Sequence, residues 1–178
     1  MTTSVSIQHS TWSVELERHE FIFNRRFDDA LAAINEGLGH PHFAKFMKRI
    51  GAIEDWDGYR AAVTEEAGPA GLILFMELDM GSVIERDPEA TGFHAERIIA
   101  GNPVTMESMT RTTPAAGAFA PVTILLFEAK DGVHIRYDTL ASAVGAEMTQ
   151  AASIVARKLD LAVLQLIEAA LNESLPPL

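Results

Sequence analysis

The sequence contains no cysteine, which excludes disulfide bonds, thiolate catalysis and metal sites built on cysteine. Basic residues are also scarce, because 14 Lys and Arg stand against 25 Asp and Glu and leave a formal net charge of -11. So acidic a chain repels phosphate backbones and anionic lipid headgroups. We therefore expect no nucleic acid and no membrane among its partners.

Long apolar runs are missing as well. No segment approaches the roughly 18 apolar residues of a membrane-spanning helix, and the N-terminus lacks the basic region and apolar core of a signal peptide. These absences predict a cytoplasmic protein. The fingerprints Gly-x-Ser-x-Gly, His-Glu-x-x-His and Walker are not found either, so neither an enzyme class nor a cofactor can be read from the sequence.

The composition suits one folded domain. The 178 residues are 48% hydrophobic, enough for one substantial core, and no linker-like stretch divides them. We expect a single domain over residues 1–178, with residues 1–10 as a terminal segment that frays.

Helical periodicity is clearest in four segments. Apolar residues recur at helical spacing in three short segments that end near Gly37, Gly51 and Gly68. A longer stripe over residues 147–173 predicts one amphipathic helix. Asn102 followed by Pro103 predicts the start of a further short helix, since Asn is a good N-cap and Pro suits the first helical position.

Strand patterns fill most of the remaining chain. Alternating or continuous apolar residues predict strands over residues 11–23, 72–80 and 96–100 and on both sides of Asp131-Gly132. The first of these changes phase near residues 18–20, which either a β-bulge or a strand buried on both faces at its end would explain.

The segment around Asp131-Gly132 predicts a β-hairpin. With these two residues as the turn, Glu128 lies opposite Ile135 and Leu126 opposite Tyr137. One face of the hairpin is then apolar throughout and comprises Val122, Ile124, Leu126, Val133, Ile135 and Tyr137. The other face mixes apolar residues with His134 and Arg136, which indicates a surface that another layer or another subunit covers.

In chain order, these segments predict an α+β domain. Its mainly antiparallel sheet has its helices mostly against one face, and a long helix closes the chain.

Two groups of residues are candidates for chemistry near the strand ends. Gly101 and Asn102 precede a helix N-terminus whose backbone N–H groups can hold an anion, although an ordinary helix cap explains them better. Glu77 and Asp79 on one strand, with His94 and Glu96 entering the next, form a carboxylate and imidazole group that can bind a divalent metal or act in acid–base catalysis, if their strands pair; Glu77, Asp79 and His94 are the candidate metal ligands. The alternative for this group is a solvated strand edge with ordinary ion pairs.

Tyr137 and Asp138 form a third candidate at the end of the hairpin. A tyrosine hydroxyl and an aspartate can orient a ligand at the mouth of a cavity between the sheet and the last helix. The alternative is a core tyrosine whose hydroxyl bonds to a neighbour, and this explanation is favoured.

Several of these residues also carry a resemblance to a known family. The matching features are Leu78-Asp79, Gly101-Asn102-Pro103, Pro121, Asp131-Gly132 and Tyr137-Asp138. Through them the sequence resembles DUF302, a family of small bacterial and archaeal proteins of unknown function, from about Trp12 to the last helix. The resemblance implies a β-α-β-β-β-β-α arrangement similar to the TATA-box-binding-protein-like fold, and a homodimer. The chain departs from the family pattern at Met80, where a histidine is frequent, and at Met106-Glu107, where a Gly-Thr pair is frequent.

Three hypotheses of function follow. The first is a homodimer that binds a small, partly apolar ligand between the sheet and the last helix, using Asp79, Gly101, Asn102, Tyr137 and Asp138. The second is a metal-assisted or acid–base enzyme built on Glu77, Asp79 and His94. The third is an interaction protein whose sheet face pairs with itself or with a partner.

Overall fold

The structure is a computed structural model that describes residues 7–173. Residues 1–6 of the N-terminal segment expected to fray lie outside the described residues. The strands are β1 (Arg18–Phe23), β2 (Leu38–Gly39), β3 (Leu72–Asp79), β4 (Ala95–Gly101), β5 (Val122–Ala129) and β6 (Gly132–Asp138). The α-helices are α1 (Phe27–Glu36), α2 (Phe43–Ile50), α3 (Trp56–Glu66), α4 (Gly81–Ile84), α5 (Pro103–Thr110), α6 (Leu140–Val144) and α7 (Gln150–Glu173).

The strands form one sheet in the order β1-β6-β5-β4-β3-β2. Neighbouring strands are antiparallel except β2 and β3, which are parallel. Helices and a mainly antiparallel sheet confirm the predicted α+β class, and α7 confirms the long closing helix. The two-residue strand β2 was not predicted, because two residues show no periodicity.

The main core lies on one face of the sheet, here called the inner face. Phe27 and Ile34 of α1, Leu140 of α6 and Leu159 and Val163 of α7 pack there against the apolar side of the hairpin. This arrangement follows from the one-sided apolar stripes of α1 and α7, which must be buried against another layer.

Helices α2 and α3 lie on the opposite, outer face at the β3 edge. Neighbouring residues of a strand point to opposite faces. Leu72 belongs to the main core, whereas Ile73 packs with Phe46 and Ile50 of α2 and Val63 of α3. The helices are therefore mostly, but not all, on one face.

A β-bulge in β3 sets which residues face inward. Leu74 pairs with Ala100 and Met76 pairs with Ile99, so Phe75 is an extra residue in the ladder. Beyond the bulge, Glu77 lies opposite Ile98 and Asp79 opposite Glu96. Because Ile98 belongs to the main core, Glu77 and Asp79 share the inner face with Glu96.

The first strand is shorter than predicted. β1 begins at Arg18, and its pairing with β6 runs without a shift from Arg18 opposite Asp138 to Phe23 opposite Val133, so the first of the two explanations, a β-bulge near residues 18–20, does not apply. Residues 11–17 have no strand partner. Backbone bonds of Glu17 join this segment to the chain after β6: its carbonyl accepts from the Thr139 N–H, and its N–H donates to the Ser142 hydroxyl.

The hairpin is confirmed, but its register differs by two residues. Ala129 pairs with Gly132 and Leu126 with Ile135, so Lys130 and Asp131 form the loop. A shift of two residues preserves the faces, because side chains alternate with a period of two. All six residues predicted for the apolar face are buried.

The helical predictions hold within a few residues. The three short helices occur as α1, α2 and α3, and Asn102 caps α5. The last helix begins at Gln150 rather than at residue 147, because a 3₁₀ turn over Gly145–Glu147 precedes it. Within residues 7–173, no helix has the length and apolarity needed to cross a membrane.

Candidate functional site

A cavity of about 220 Å³ lies between α2, α3 and α5 and the chain that enters β5. It is here called the α2–α5 cavity. Its walls are mainly apolar and include Phe43, Met47, Tyr59, Phe75, Met106 and Pro121. The rings of Phe43 and Phe75 contact each other at 5.6 Å between centroids.

Gly101 and Asn102, two of the predicted ligand-binding residues, line this cavity. A Cβ atom on Gly101 would lie 3.1 Å from the Pro121 Cβ and 3.4 Å from the Phe75 Cε2, so glycine lets the β4 end and the Pro121 segment approach closely. This contact places Pro121 beside Phe75 in the cavity wall.

Asn102 serves as a helix cap, with each of its side-chain polar atoms bonded. Its Oδ1 accepts from the Val104 N–H at 2.9 Å and from the Thr105 N–H at 3.3 Å, and its Nδ2 donates to the Gly71 carbonyl at 2.9 Å. Pro103 has no N–H to offer. The free donors that an anion site requires are therefore already occupied, and the cap is the correct interpretation of this motif.

Tyr59 is the cavity residue with an unused polar group. Within residues 7–173 its hydroxyl makes no hydrogen bond, and burial raises the pKa of this phenol. The ring stacks on Trp56 at 5.6 Å between centroids. The α2–α5 cavity thus combines apolar walls with one neutral hydroxyl.

Asp79 lies in a second hollow, of about 280 Å³, between α1, α4 and the β3–β4 edge. We call it the acidic depression, because Asp28, Asp79, Glu85 and Glu96 line it together with His94 and no Lys or Arg. Asp79 and Glu96 face each other across the two strands. Burial, together with the charges of Glu77 and Asp79, raises the pKa of Glu96.

Of the predicted metal ligands Glu77, Asp79 and His94, the structure places Asp79 and His94 in the acidic depression, whereas Glu77 does not line it. Glu77 accepts from the Asn35 amide at 2.6 Å, and Asp79 accepts from the Ser82 N–H at 2.9 Å in the first turn of α4. The His94 ring contacts the Phe27 ring, with 5.4 Å between the ring centroids. Among residues 7–173 no group of three His, Asp or Glu is placed to hold a metal ion. The second hypothesis therefore has no metal-binding trio in this part of the chain.

Tyr137 and Asp138 cannot share one site, because neighbouring strand residues point to opposite faces. Tyr137 is 1% exposed and donates from its hydroxyl to the Asp160 Oδ1 at 2.6 Å. Burial and the Asp160 carboxylate raise the pKa of this tyrosine. Asp138 lies on the outer face, where Arg18 binds both of its oxygens.

Asp160 is a structurally important residue that was not predicted from the sequence. Besides Tyr137, its carboxylate accepts from the backbone N–H groups of Leu140 at 2.8 Å and Ala141 at 3.0 Å, which begin α6. The signal was present in the sequence: Asp160 lies four residues after Ala156 and three before Val163, inside the apolar stripe of α7.

Charged pairs cross the outer face between β1 and β6. Arg136 contacts Glu20, and its guanidinium lies 5.1 Å from the centroid of the Phe127 ring. His134 contacts Asp131 at 2.9 Å and Glu20 at 3.3 Å. A hydrogen bond to Asp131 is the main reason that the pKa of His134 is raised.

The fold defines a small α+β protein with a six-stranded, mainly antiparallel sheet. The family model "Domain of unknown function DUF302" matches residues 52–170, more than half of the chain, so the protein belongs to the DUF302 family. This confirms the family resemblance seen in the sequence. No curated protein matches the sequence.

A solved structure supports the same fold. The crystal structure of an uncharacterized conserved DUF302 protein from Bacillus stearothermophilus is similar, with a TM-score of 0.60. The match covers 86% of this chain and 97% of that chain at 8% sequence identity. At so low an identity the likeness concerns the fold alone.

Proposed function

We propose that the protein binds a small, partly apolar ligand in the α2–α5 cavity. The observation that carries this proposal is a hollow with apolar walls and a single hydroxyl that has no partner among residues 7–173, that of Tyr59. Cavities that combine apolar walls with few polar groups are the usual form of small-molecule sites.

The volume restricts the size of the ligand. Drug-sized ligands occupy pockets of about 300–1,000 Å³, whereas an apolar hole of about 150 Å³ accepts benzene. The α2–α5 cavity measures about 220 Å³ and lies between these limits. A ligand with one ring and one polar substituent therefore fits both the space and the Tyr59 hydroxyl.

The proposed position differs from the one expected from the sequence. The α2–α5 cavity includes Gly101 and Asn102 and receives Leu159 from α7, but α2, α3 and α5 form most of its wall. Tyr137 is in the filled core, and Asp138 lies on the outer face. The ligand proposal therefore retains Gly101 and Asn102 and does not use Tyr137 or Asp138.

Native mass spectrometry of the untagged protein tests this proposal, with a second run after denaturation. We expect an additional mass that denaturation removes, or binding of added 4-methylphenol in one copy per chain. Met47→Glu places a carboxylate at a cavity residue that is 45% exposed, and it should abolish either signal. Leu161→Glu is the matched control, since Leu161 is 54% exposed on α7 and does not line the cavity. Equal binding by the wild type and Met47→Glu would refute the proposal.

A homodimer formed through the outer face is a second candidate. Ile22, Met76, Leu78 and Met80 are each at least 40% exposed on or beside this face. The same face carries charges of both signs in the pairs Arg18–Asp138 and Arg136–Glu20, so two copies need not repel each other.

Sedimentation equilibrium distinguishes the dimer from the monomer. Leu78→Lys should shift a wild-type dimer toward monomer, while Leu161→Lys should leave it unchanged. A wild-type monomer at high concentration would contradict the dimer without affecting the ligand proposal. The cytoplasmic location stays a prediction.

A further inference from the structure

The Glu96 carboxylate has an unusual position for a charged group. Glu96 is 8% exposed, yet within residues 7–173 its side chain makes no hydrogen bond and no ion pair. Buried carboxylates are normally paired, because an unpaired charge is costly to remove from water. The inner face therefore holds a carboxylate that no group of residues 7–173 pairs with, and its oxygens are not fully enclosed but open into the acidic depression.

The surroundings increase this imbalance. Asp79 lies directly opposite Glu96, and like charges in such cross-strand positions repel. Glu85 adds another carboxylate to the walls, as does Asp28, although Arg26 pairs with Asp28 at 2.9 Å; no Lys or Arg lines the depression itself. A positive charge placed beside Glu96 provides the missing partner and reduces the repulsion by Asp79.

We propose that the acidic depression binds an aliphatic amine, whose ammonium group pairs with Glu96 and Asp79. Glu96 is the unpartnered, buried group that points to a ligand, and the other carboxylates fix the sign of its charge. The aromatic ring of Phe27 and the side chain of Leu31 also line the depression and provide contacts for methylene groups. An aromatic face near an ammonium adds a further attraction.

The geometry favours an amine over a metal ion. Metal ions such as Ca²⁺ need several oxygen ligands that converge on one point. Asp79 is already oriented by the Ser82 N–H, and no trio of His, Asp or Glu within residues 7–173 converges in this way. An ammonium group needs only a few acceptors and tolerates a looser arrangement.

Isothermal titration calorimetry at low ionic strength tests the site with 1,4-diaminobutane. We expect one molecule to bind per chain, and 1,4-butanediol, which has the same length without the charges, should not bind. Glu96→Gln should weaken the binding about tenfold or more, the usual scale for loss of a buried charged partner. Glu54→Gln removes the same charge from an exposed residue outside the depression and should change the affinity less than about twofold.

A second variant, Glu85→Lys, tests the site independently in case Glu96→Gln does not fold. Glu85 is exposed at the wall of the depression, so Glu85→Lys should weaken diamine binding while the amide NMR spectrum keeps the dispersion of the wild type. No binding of 1,4-diaminobutane by the wild type would overturn the proposal. Equal losses of diamine affinity in Glu96→Gln and Glu54→Gln would overturn it as well. So would binding of Mg²⁺ or Ca²⁺ that depends on Glu96 and with which the diamine does not compete.

Discussion

Replacement of Asp160 by Ala is expected to be one of the costliest substitutions in the described core. Asp160 is 5% exposed and accepts three hydrogen bonds, from the Tyr137 hydroxyl and from the N–H groups of Leu140 and Ala141. These bonds join β6, the start of α6 and the middle of α7. Thr139, the N-cap of α6, makes no side-chain cap bond of its own, so the cap comes from α7.

The expected cost follows from the donors that lose their acceptor. The Tyr137 hydroxyl and the Leu140 N–H are both buried, and each buried donor without a partner costs about 1–3 kcal/mol. Ala141 is partly exposed, and its N–H can bond to water instead. We therefore expect a loss of about 4 kcal/mol in the free energy of unfolding, or about 10 °C in Tm for a domain of this length.

A double-mutant cycle with Tyr137→Phe measures the pair itself. Tyr137→Phe alone should cost about 2 kcal/mol, because it removes one hydrogen bond to a charged acceptor. The double variant should cost about 2 kcal/mol less than the sum of the single variants, since phenylalanine leaves no hydroxyl unpaired.

Urea denaturation followed by circular dichroism provides the free energies, provided that the m-value is unchanged. Glu168→Ala is the control, because Glu168 is exposed on the same helix and should change stability by less than about 0.5 kcal/mol. Strict additivity in the cycle, or a cost for Asp160→Ala no larger than that of the control, would refute this account of the core.

Three further predictions concern the other described sites. Asn102→Ala should lower the free energy of unfolding in urea by about 1 kcal/mol, because it removes the cap of α5; no loss would contradict that role. Glu96→Gln should stabilise the fold near neutral pH by about 0.2–1 kcal/mol, since it relieves repulsion by Asp79. In the folded wild type, the pKa of Glu96 is raised above its usual 4.5. The wild type therefore loses stability as the pH rises from 4.5 through the folded pKa of Glu96. Urea denaturation across that pH range should show no such loss in Glu96→Gln. NMR titration should place the pKa of His134 above its usual 6.5 and lower it in Asp131→Asn. The stability from this histidine is complete below the unfolded pKa and is lost as the pH rises through the folded pKa, and a titration unchanged by Asp131→Asn would contradict the assignment.

Local patterns predicted most of the fold. Helices α1, α2 and α3 were found from apolar spacing, and the α5 start from Asn102 and Pro103, because these signals depend on a few neighbouring residues. The hairpin faces were correct even though the register was not. A turn motif fixes the register only if the loop closes on those residues, whereas the period of two fixes the face in either case.

Features that depend on distant partners were missed. α6 is only five residues long and takes its cap from Asp160, which lies twenty residues after Leu140. Tyr137 and Asp138 were also predicted to share one site, although neighbouring residues of a strand point to opposite faces of the sheet. The α2–α5 cavity depends on Gly101, Pro121 and α2 meeting in space, and no local pattern encodes that contact.

The bulge at Phe75 decides which side chains of β3 lie on the same face as Glu96. Without it, the β3–β4 ladder would slip by one residue, so that Met76 would oppose Ile98 on the inner face and Glu77 would oppose Arg97 outside. That alternative register buries a methionine and pairs an acid with a base. The observed register instead turns Glu77 and Asp79 toward the buried Glu96. One extra residue thus places two carboxylates on the face of Glu96, where the Asn35 amide and the Ser82 N–H bond to them.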